Sequence, residues 1–163
     1  MKSTIDAIVE ITNGSKNKYE IDKKTGKIRL ERVINSSNVY PAEYGTIEST
    51  LSPDGDPLDI LILSNEKTYP GCVVPSRVLG YLDMIDNGLK DYKLIAVVDV
   101  DPKFDGINDL DDLPEITLKE IKNFFENYKT LDNVEVSVGE FHKKDEALNI
   151  IEECKNRYKS VIK

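Results

Sequence analysis

The sequence predicts an α+β fold: a closed or partly closed β-barrel followed by two α-helices near the C-terminus. Two observations carry this. Short β-branched or alternating runs bounded by turn formers fill the chain from Ile5 to Val100, and a three-and-four apolar period replaces them after Pro114. With 163 residues and no repeat, low-complexity tract or linker, residues 1–163 read as one domain. A chain of that length buries roughly two-thirds of its unfolded surface.

The elements follow in order. Residues 5–11, IDAIVEI, form the first expected strand. Residues 18–33, KYEIDKKTGKIRLERV, hold two alternating runs around Lys24-Thr25-Gly26, a hairpin signal. VYPAEYGTIEST continues extended, because Pro41 opposes helix. LDILIL (58–63) is short, apolar and flanked by turn formers, and so reads as a buried strand. GCVVPSRVLGYLDMI (71–85) reads as a long broken strand, with Pro75 marking an edge or a bulge. Asn87-Gly88 predicts a turn leading to another buried strand, YKLIAVVDV. Leu118, Ile121, Phe124, Phe125 and Tyr128 line one face of a helix starting near Pro114. VEVSVGEF (134–141) alternates as a strand, and Ala147, Ile150, Ile151, Cys154 and Tyr158 form one stripe of the final helix.

The net charge is −8, with 32% charged and 39% hydrophobic residues. An acidic chain does not attract a phosphate backbone, which argues against nucleic acid and suits divalent cations better. No run approaches the ~20 apolar residues of a membrane helix. The N-terminal MKSTIDAIVEI lacks the apolar stretch of a secretory signal. Cys72 and Cys154 fit neither a metal spacing nor a disulfide framework, so the expected setting is cytoplasmic.

The chemistry concentrates in DGDPLD, which packs Asp54, Asp56 and Asp59 into six residues. Two carboxylates about 4 Å apart repel by roughly 4 kcal/mol at an effective dielectric near 20. Such a group is stable only as a solvated turn or around a cation. An extended segment would point Asp54 and Asp56 to one side, and Pro57 would let Asp59 turn back toward them. An EF-hand is excluded, because its sixth and twelfth positions hold Asp59 and Asn65 here. In a second cluster, DMIDNGLKDYK, Asp86 and Asp91 flank the turn and Lys93 follows. Oxygen donors without histidine or cysteine indicate magnesium, manganese or calcium. His142, the sole histidine, is expected to be an ordinary surface residue. A third set holds Lys18, Tyr19 and Glu20, then Glu31 and Arg32, Tyr40 and Tyr44, and Tyr128 and Lys129. Beside metal-binding carboxylates these donors would form a phosphate clamp.

The segments VEI, KYEIDKKTG, ER, YPAEYG, DGDPLD, DNGLKDYK and FFENYK run in this order from about Glu10 to Lys129. They closely resemble the soluble family I inorganic pyrophosphatases of bacterial type. The resemblance implies a five-stranded OB-like β-barrel with flanking helices. It also implies Mg²⁺-dependent hydrolysis of inorganic pyrophosphate to two phosphates by an activated water, with no covalent intermediate. Mn²⁺ or another divalent ion is a possible substitute. The same resemblance implies a homo-oligomer, with a hexamer favoured.

Carried over by residue, Asp54, Asp59 and Asp91 would hold the first metal, with Asp59 bridging to the second. Asp86 and Asp91 would bind a metal arriving with substrate, and Glu10 and Glu20 would support a further one. Asp56 would accept the proton of the attacking water. Lys18, Arg32, Lys93, Tyr128 and Lys129 would grip the phosphates, Tyr44 would hydrogen-bond near them, and Tyr40 would line the site. Two other readings use these residues: a non-catalytic cation- and phosphate-binding module, and a hydrolase of other phosphoanhydrides. The first predicts a missing base or clamp, yet Asp56, Lys18, Arg32 and Tyr128 are all present. The second lacks support from a P-loop or a base-stacking pair.

Overall fold

The computed structural model describes residues 3–162. The strands are β1 (Thr4–Ile11), β2 (Asn17–Ile21), β3 (Ile28–Val33), β4 (Glu43–Ile47), β5 (Leu58–Leu63), β6 (Val73–Asp86), β7 (Leu89–Lys90), β8 (Lys93–Val98) and β9 (Val136–Lys143). Helix α1 (Glu115–Asn127) precedes β9, and α2 (Lys144–Val161) follows it.

Five strands close a ring in the order β1-β4-β5-β8-β6, and β6 pairs back onto β1. All ring pairings are antiparallel except β5 with β8, which is parallel. The length of β6 makes closure possible. Its first residues pair with β1, its middle with β8, and its last with β7 and β9. The expected five-stranded barrel with two helices is therefore present. The hairpin β2–β3 stands apart as a second, two-stranded sheet.

Two expected details differ. The segment 71–85 holds a continuous strand, not a broken one. Pro75 pairs opposite Asp6 of β1 and lies one residue before the β8 ladder begins at Ser76, so its missing N–H costs no bond on that side. The irregularity comes later, between Val78 and Gly80. In VYPAEYGTIEST only Glu43–Ile47 is strand. The chain then turns through Ser49 at φ 59°, and the buried Thr50 hydroxyl donates to Ile47 O while accepting Leu58 N–H. At the far end of β6, Asn87 and Gly88 have φ of 52° and 82°. These are the left-handed values that a two-residue hairpin turn requires.

The two faces of the closed sheet carry separate cores. Leu58, Ile60, Ile62, Leu94 and Ala96 cluster with the α2 stripe of Ala147, Ile150, Ile151 and Cys154, while Tyr158 is only half-buried. Leu61, Ile95 and Val97 cluster on the other face with the α1 stripe of Ile121, Phe124, Phe125 and Tyr128. Fully burying a side chain such as Phe125 contributes about 1.5–3 kcal/mol. Because strand side chains alternate, Asp59 shares a face with Leu61, and Lys93 with Ile95. The candidate site therefore opens on the α1 side of the barrel.

Candidate active site

Asp59 and Lys93 are direct partners across the parallel β5–β8 pair, and Thr46 of β4 is the partner of Asp59 on its other side. The Lys93 Nζ donates to Asp59 Oδ2 at 2.7 Å and to the Tyr44 hydroxyl at 2.8 Å, and pairs with Asp91 Oδ2 at 3.0 Å. Its three protons thus have three partners. The side chain is only 3% exposed. Burial alone would lower its pKa, but Asp59, Tyr44 and Asp91 outweigh that and hold the ammonium protonated well above the ordinary lysine value. Burial pushes the Asp91 carboxyl up to about 6, with Asp59 adding to the effect and Lys93 opposing it. The same cause, with nearby acids, keeps the Tyr44 phenol protonated.

The DGDPLD segment is a tight turn and not an extended run. Gly55 N donates to Ser52 O at 3.0 Å, Ser52 N to Asp56 O at 2.8 Å, and Asp56 N to the Asp54 carboxylate at 3.0 Å. Asp54 is half-buried, with its pKa raised by burial, whereas Asp56 is exposed. The three carboxylates line one cleft because the turn delivers Asp54 and Asp56 while β5 carries Asp59. Arg157 of α2 donates to Leu51 O at 2.8 Å and steadies this turn from behind. Nothing near DGDPLD in sequence points to that contact.

Glu10 lies in a bulge, since the register with β4 slips between Val9 and Ile11. The bulge re-aims its side chain. Opposite it, Gly45 admits no side chain: a Cβ there would stand 2.0 Å from Ile8 O. Burial raises Glu10 to about 7, against the pull of Lys18 and with repulsion from Asp59 and Glu20. Lys18 Nζ stands 3.9 Å from Glu10 and 3.6 Å from Glu31. Lys18 and Arg32 are partners in the β2–β3 hairpin, and Arg32 Nε lies 3.4 Å from Glu31. Asp86, at the end of β6, takes the Lys129 ammonium, and the Tyr128 hydroxyl lies 3.3 Å away. Both donors sit where α1 ends, with Tyr128 as its C-cap.

One open cleft of about 570 Å³ is lined by every one of these groups: Glu10, Lys18, Glu20, Arg32, Tyr40, Tyr44, Asp54, Asp56, Asp59, Asp86, Asp91, Lys93, Tyr128 and Lys129. Tyr19, from the same donor set, lines it too, as do Thr46 and Glu48, to which sequence reasoning assigned no role. His142 lies elsewhere, part-exposed at the surface. It stacks on Tyr81 with centroids 4.6 Å apart, and its Nδ1 lies 2.9 Å from Glu146.

The acidic donors of the cleft are oxygen only, without histidine or cysteine, which fits a hard divalent cation. Among the described residues no three acids form a ready-made coordination sphere. Asp59 and Asp91 are instead gathered around the Lys93 ammonium. Two oxygens on one ammonium are already neighbours, so the donor set fits a cation once side chains turn toward it.

Comparison with known proteins places this arrangement. Residues 7–159 match the inorganic pyrophosphatase family. The chain is 50% identical over 155 residues to an inorganic pyrophosphatase of Halalkalibacterium halodurans, covering 95% of each chain. It is 45% identical over 160 residues to a soluble inorganic pyrophosphatase of Oryza sativa subsp. indica, covering 98% of this chain and 75% of that one. The crystal structure of inorganic pyrophosphatase from Thermus thermophilus superposes with a TM-score of 0.90 at 42% identity, over 96% of this chain and 92% of the other. An inorganic pyrophosphatase from Helicobacter pylori gives a TM-score of 0.90 at 39% identity, over 96% and 94%. The barrel that holds these carboxylates and cations thus belongs, over nearly its whole length, to the inorganic pyrophosphatase family.

Proposed function

We propose that this protein hydrolyses inorganic pyrophosphate to two phosphates with Mg²⁺, or Mn²⁺ in its place, in the cleft between the β2–β3 hairpin, the DGDPLD turn and the end of α1. One observation carries the reading. A single cleft is lined both by a dense set of carboxylates and by the phosphate-matching donors Lys18, Arg32, Tyr128 and Lys129. A polyanionic substrate with divalent cations satisfies both sets; either alone leaves the other uncompensated.

Asp54, Asp59 and Asp91 would hold one cation, with Asp59 shared with a second. Asp86 and Asp91 would take a cation arriving with substrate, and Glu10 and Glu20 would support another. Bound divalent cations neutralise phosphate charge and acidify water. Asp56, exposed and free to face the cleft, accepts the proton of the attacking water. As the water oxygen bonds to one phosphorus, the bridging P–O bond breaks and the second phosphate leaves. Lys18, Arg32, Tyr128 and Lys129 orient the two phosphates and spread the leaving group's charge, in a transition state that needs little covalent help. Lys93 adds a buried positive charge beneath them, the Tyr44 hydroxyl fixes that ammonium, and Tyr40 walls the site.

We read the whole chain as one catalytic domain, working in the cytoplasm. No helix among the described residues is long and apolar enough to cross a membrane. We also propose a homo-oligomer, a hexamer by family resemblance. The exposed Leu30, Val33, Tyr69 and Val73 support it as apolar surface for self-association. The test of the activity is phosphate release from pyrophosphate and from ATP, each with and without Mg²⁺. Release from pyrophosphate with Mg²⁺ alone is expected. No release above background, or faster release from ATP, would overturn the proposal.

A further inference from the structure

Glu43 is a carboxylate with no exposed surface at all, at the first position of β4. Its two oxygens serve two different loops. Oε1 accepts Thr68 N–H at 2.8 Å, from the β5–β6 connection, and Oε2 accepts Asn13 N–H at 3.3 Å, from the β1–β2 connection. Neither loop carries a residue of the proposed chemistry, so the catalytic reading leaves this buried charge unexplained.

Both loops support the β2–β3 hairpin. The hairpin is a separate sheet, every residue of β3 is exposed, and β2 and β3 pair only with each other. At its root, Gly14 N donates to Tyr40 O at 2.8 Å, Tyr40 N to Ser15 O at 3.1 Å, and Ile34 N to Lys16 O at 2.7 Å. At its far end, Ile28 lies against Gly71, where even an added Cβ would stand 3.0 Å from Ile28 Cδ1. Gly71 in turn is tied to the barrel through Val9 O at 2.8 Å. The root follows directly on Asn13, and Gly71 lies three residues beyond Thr68. One carboxylate therefore fixes the segments on which both ends of the hairpin rest. The hairpin carries Lys18, Glu20 and Arg32 into the cleft.

We infer that Glu43 is a positioning residue: its two buried hydrogen bonds set the phosphate-gripping hairpin at its working distance from the metal-binding wall. This rests on the reading of the cleft as a pyrophosphate site. A carboxylate is required because both partners are N–H donors. Glutamine keeps the shape but has one acceptor oxygen, and its amide N–H₂ would face the second donor.

The test compares wild type, Glu43→Gln and Ile28→Ala. The second variant removes the contact at the far end from a half-exposed side chain and so does not threaten folding. Glu43→Gln should raise KM for pyrophosphate roughly tenfold, the effect of losing one buried hydrogen bond at a binding element. Its kcat at saturating Mg²⁺ should stay within about threefold of wild type. Hydrogen exchange should accelerate across residues 17–33 in both variants, and Ile28→Ala should raise KM by a smaller factor. A lower melting temperature with unchanged KM and unchanged exchange in the hairpin would reduce Glu43 to a structural residue and overturn the inference. If Glu43→Gln fails to fold, the Ile28→Ala exchange and KM decide it alone, and wild-type values there overturn it. Wild type without pyrophosphatase activity would fault the reading of the cleft, and the exchange comparison would then decide the role of Glu43.

Discussion

Asp56→Asn separates a catalytic base from a decorated turn. Asp56 is exposed, and its contributions to the turn are made by its backbone: N–H to Asp54 at 3.0 Å, and C=O from Ser52 N–H at 2.8 Å. Neither depends on the side-chain charge, and asparagine suits turns as well as aspartate does. Stability should therefore change by no more than about 0.5 kcal/mol. Turnover should fall by roughly 10²–10⁴, the usual contribution of a positioned base. At about 1.4 kcal/mol per decade, that is about 3–5 kcal/mol of lost transition-state stabilisation. Asp59→Asn is the contrast. Its carboxylate accepts the 2.7 Å bond from the buried Lys93 ammonium. Replacing it leaves that charge less compensated, costing about 1–3 kcal/mol of stability, and also removes a proposed metal ligand. Steady-state phosphate release across a Mg²⁺ titration distinguishes them. The Asp56→Asn defect should persist at saturating Mg²⁺, whereas the Asp59→Asn defect should shrink as Mg²⁺ rises. Near-normal turnover of Asp56→Asn, or its rescue by excess Mg²⁺, would refute the assignment.

Other outcomes follow from the same geometry. Cations that bind the native cleft and not the unfolded chain stabilise it by about 2.7 kcal/mol at a hundredfold excess over Kd. The melting temperature should then rise by about 5–10 °C from EDTA to saturating Mg²⁺, and identical midpoints would deny a native metal site. Gly45→Ala should cost about 3 kcal/mol in chemical denaturation, since its Cβ would meet Ile8 O at 2.0 Å. An unchanged midpoint would contradict the close approach at the Glu10 bulge. Sedimentation at micromolar concentration should show a species several times heavier than one chain, and a single-chain species would exclude the proposed oligomer.

Much of the fold was legible because its signals are local. Alternation in IDAIVEI and LDILIL, the Asn87-Gly88 turn and the three-and-four stripe from Leu118 to Tyr128 each reflect a backbone period or a turn conformation. Ring closure was not legible from periodicity. It depends on β6 pairing β1, β8 and β9 along one strand, and on the parallel match of Asp59 with Lys93, both long-range choices. The candidate residues could be named from motif order, and they line one cleft, but their arrangement could not be read in advance. DGDPLD alone does not reveal that Thr50 and Arg157 bend it into a turn, or that Lys93 stands among the acids. Glu43, buried and serving two loops, carries no signal in YPAEYG beyond being a charge in an apolar neighbourhood. The stacking of His142 on Tyr81 had no local signal, because Tyr81 lies on a strand 61 residues earlier.

The most direct test of the central claim is ³¹P NMR of pyrophosphate incubated with the purified protein. With millimolar Mg²⁺ the pyrophosphate resonance should disappear as orthophosphate accumulates, two for each pyrophosphate lost, and a chelator added midway should halt the conversion. A pyrophosphate signal that persists in Mg²⁺ with folded protein, or conversion unaffected by the chelator, would contradict the account.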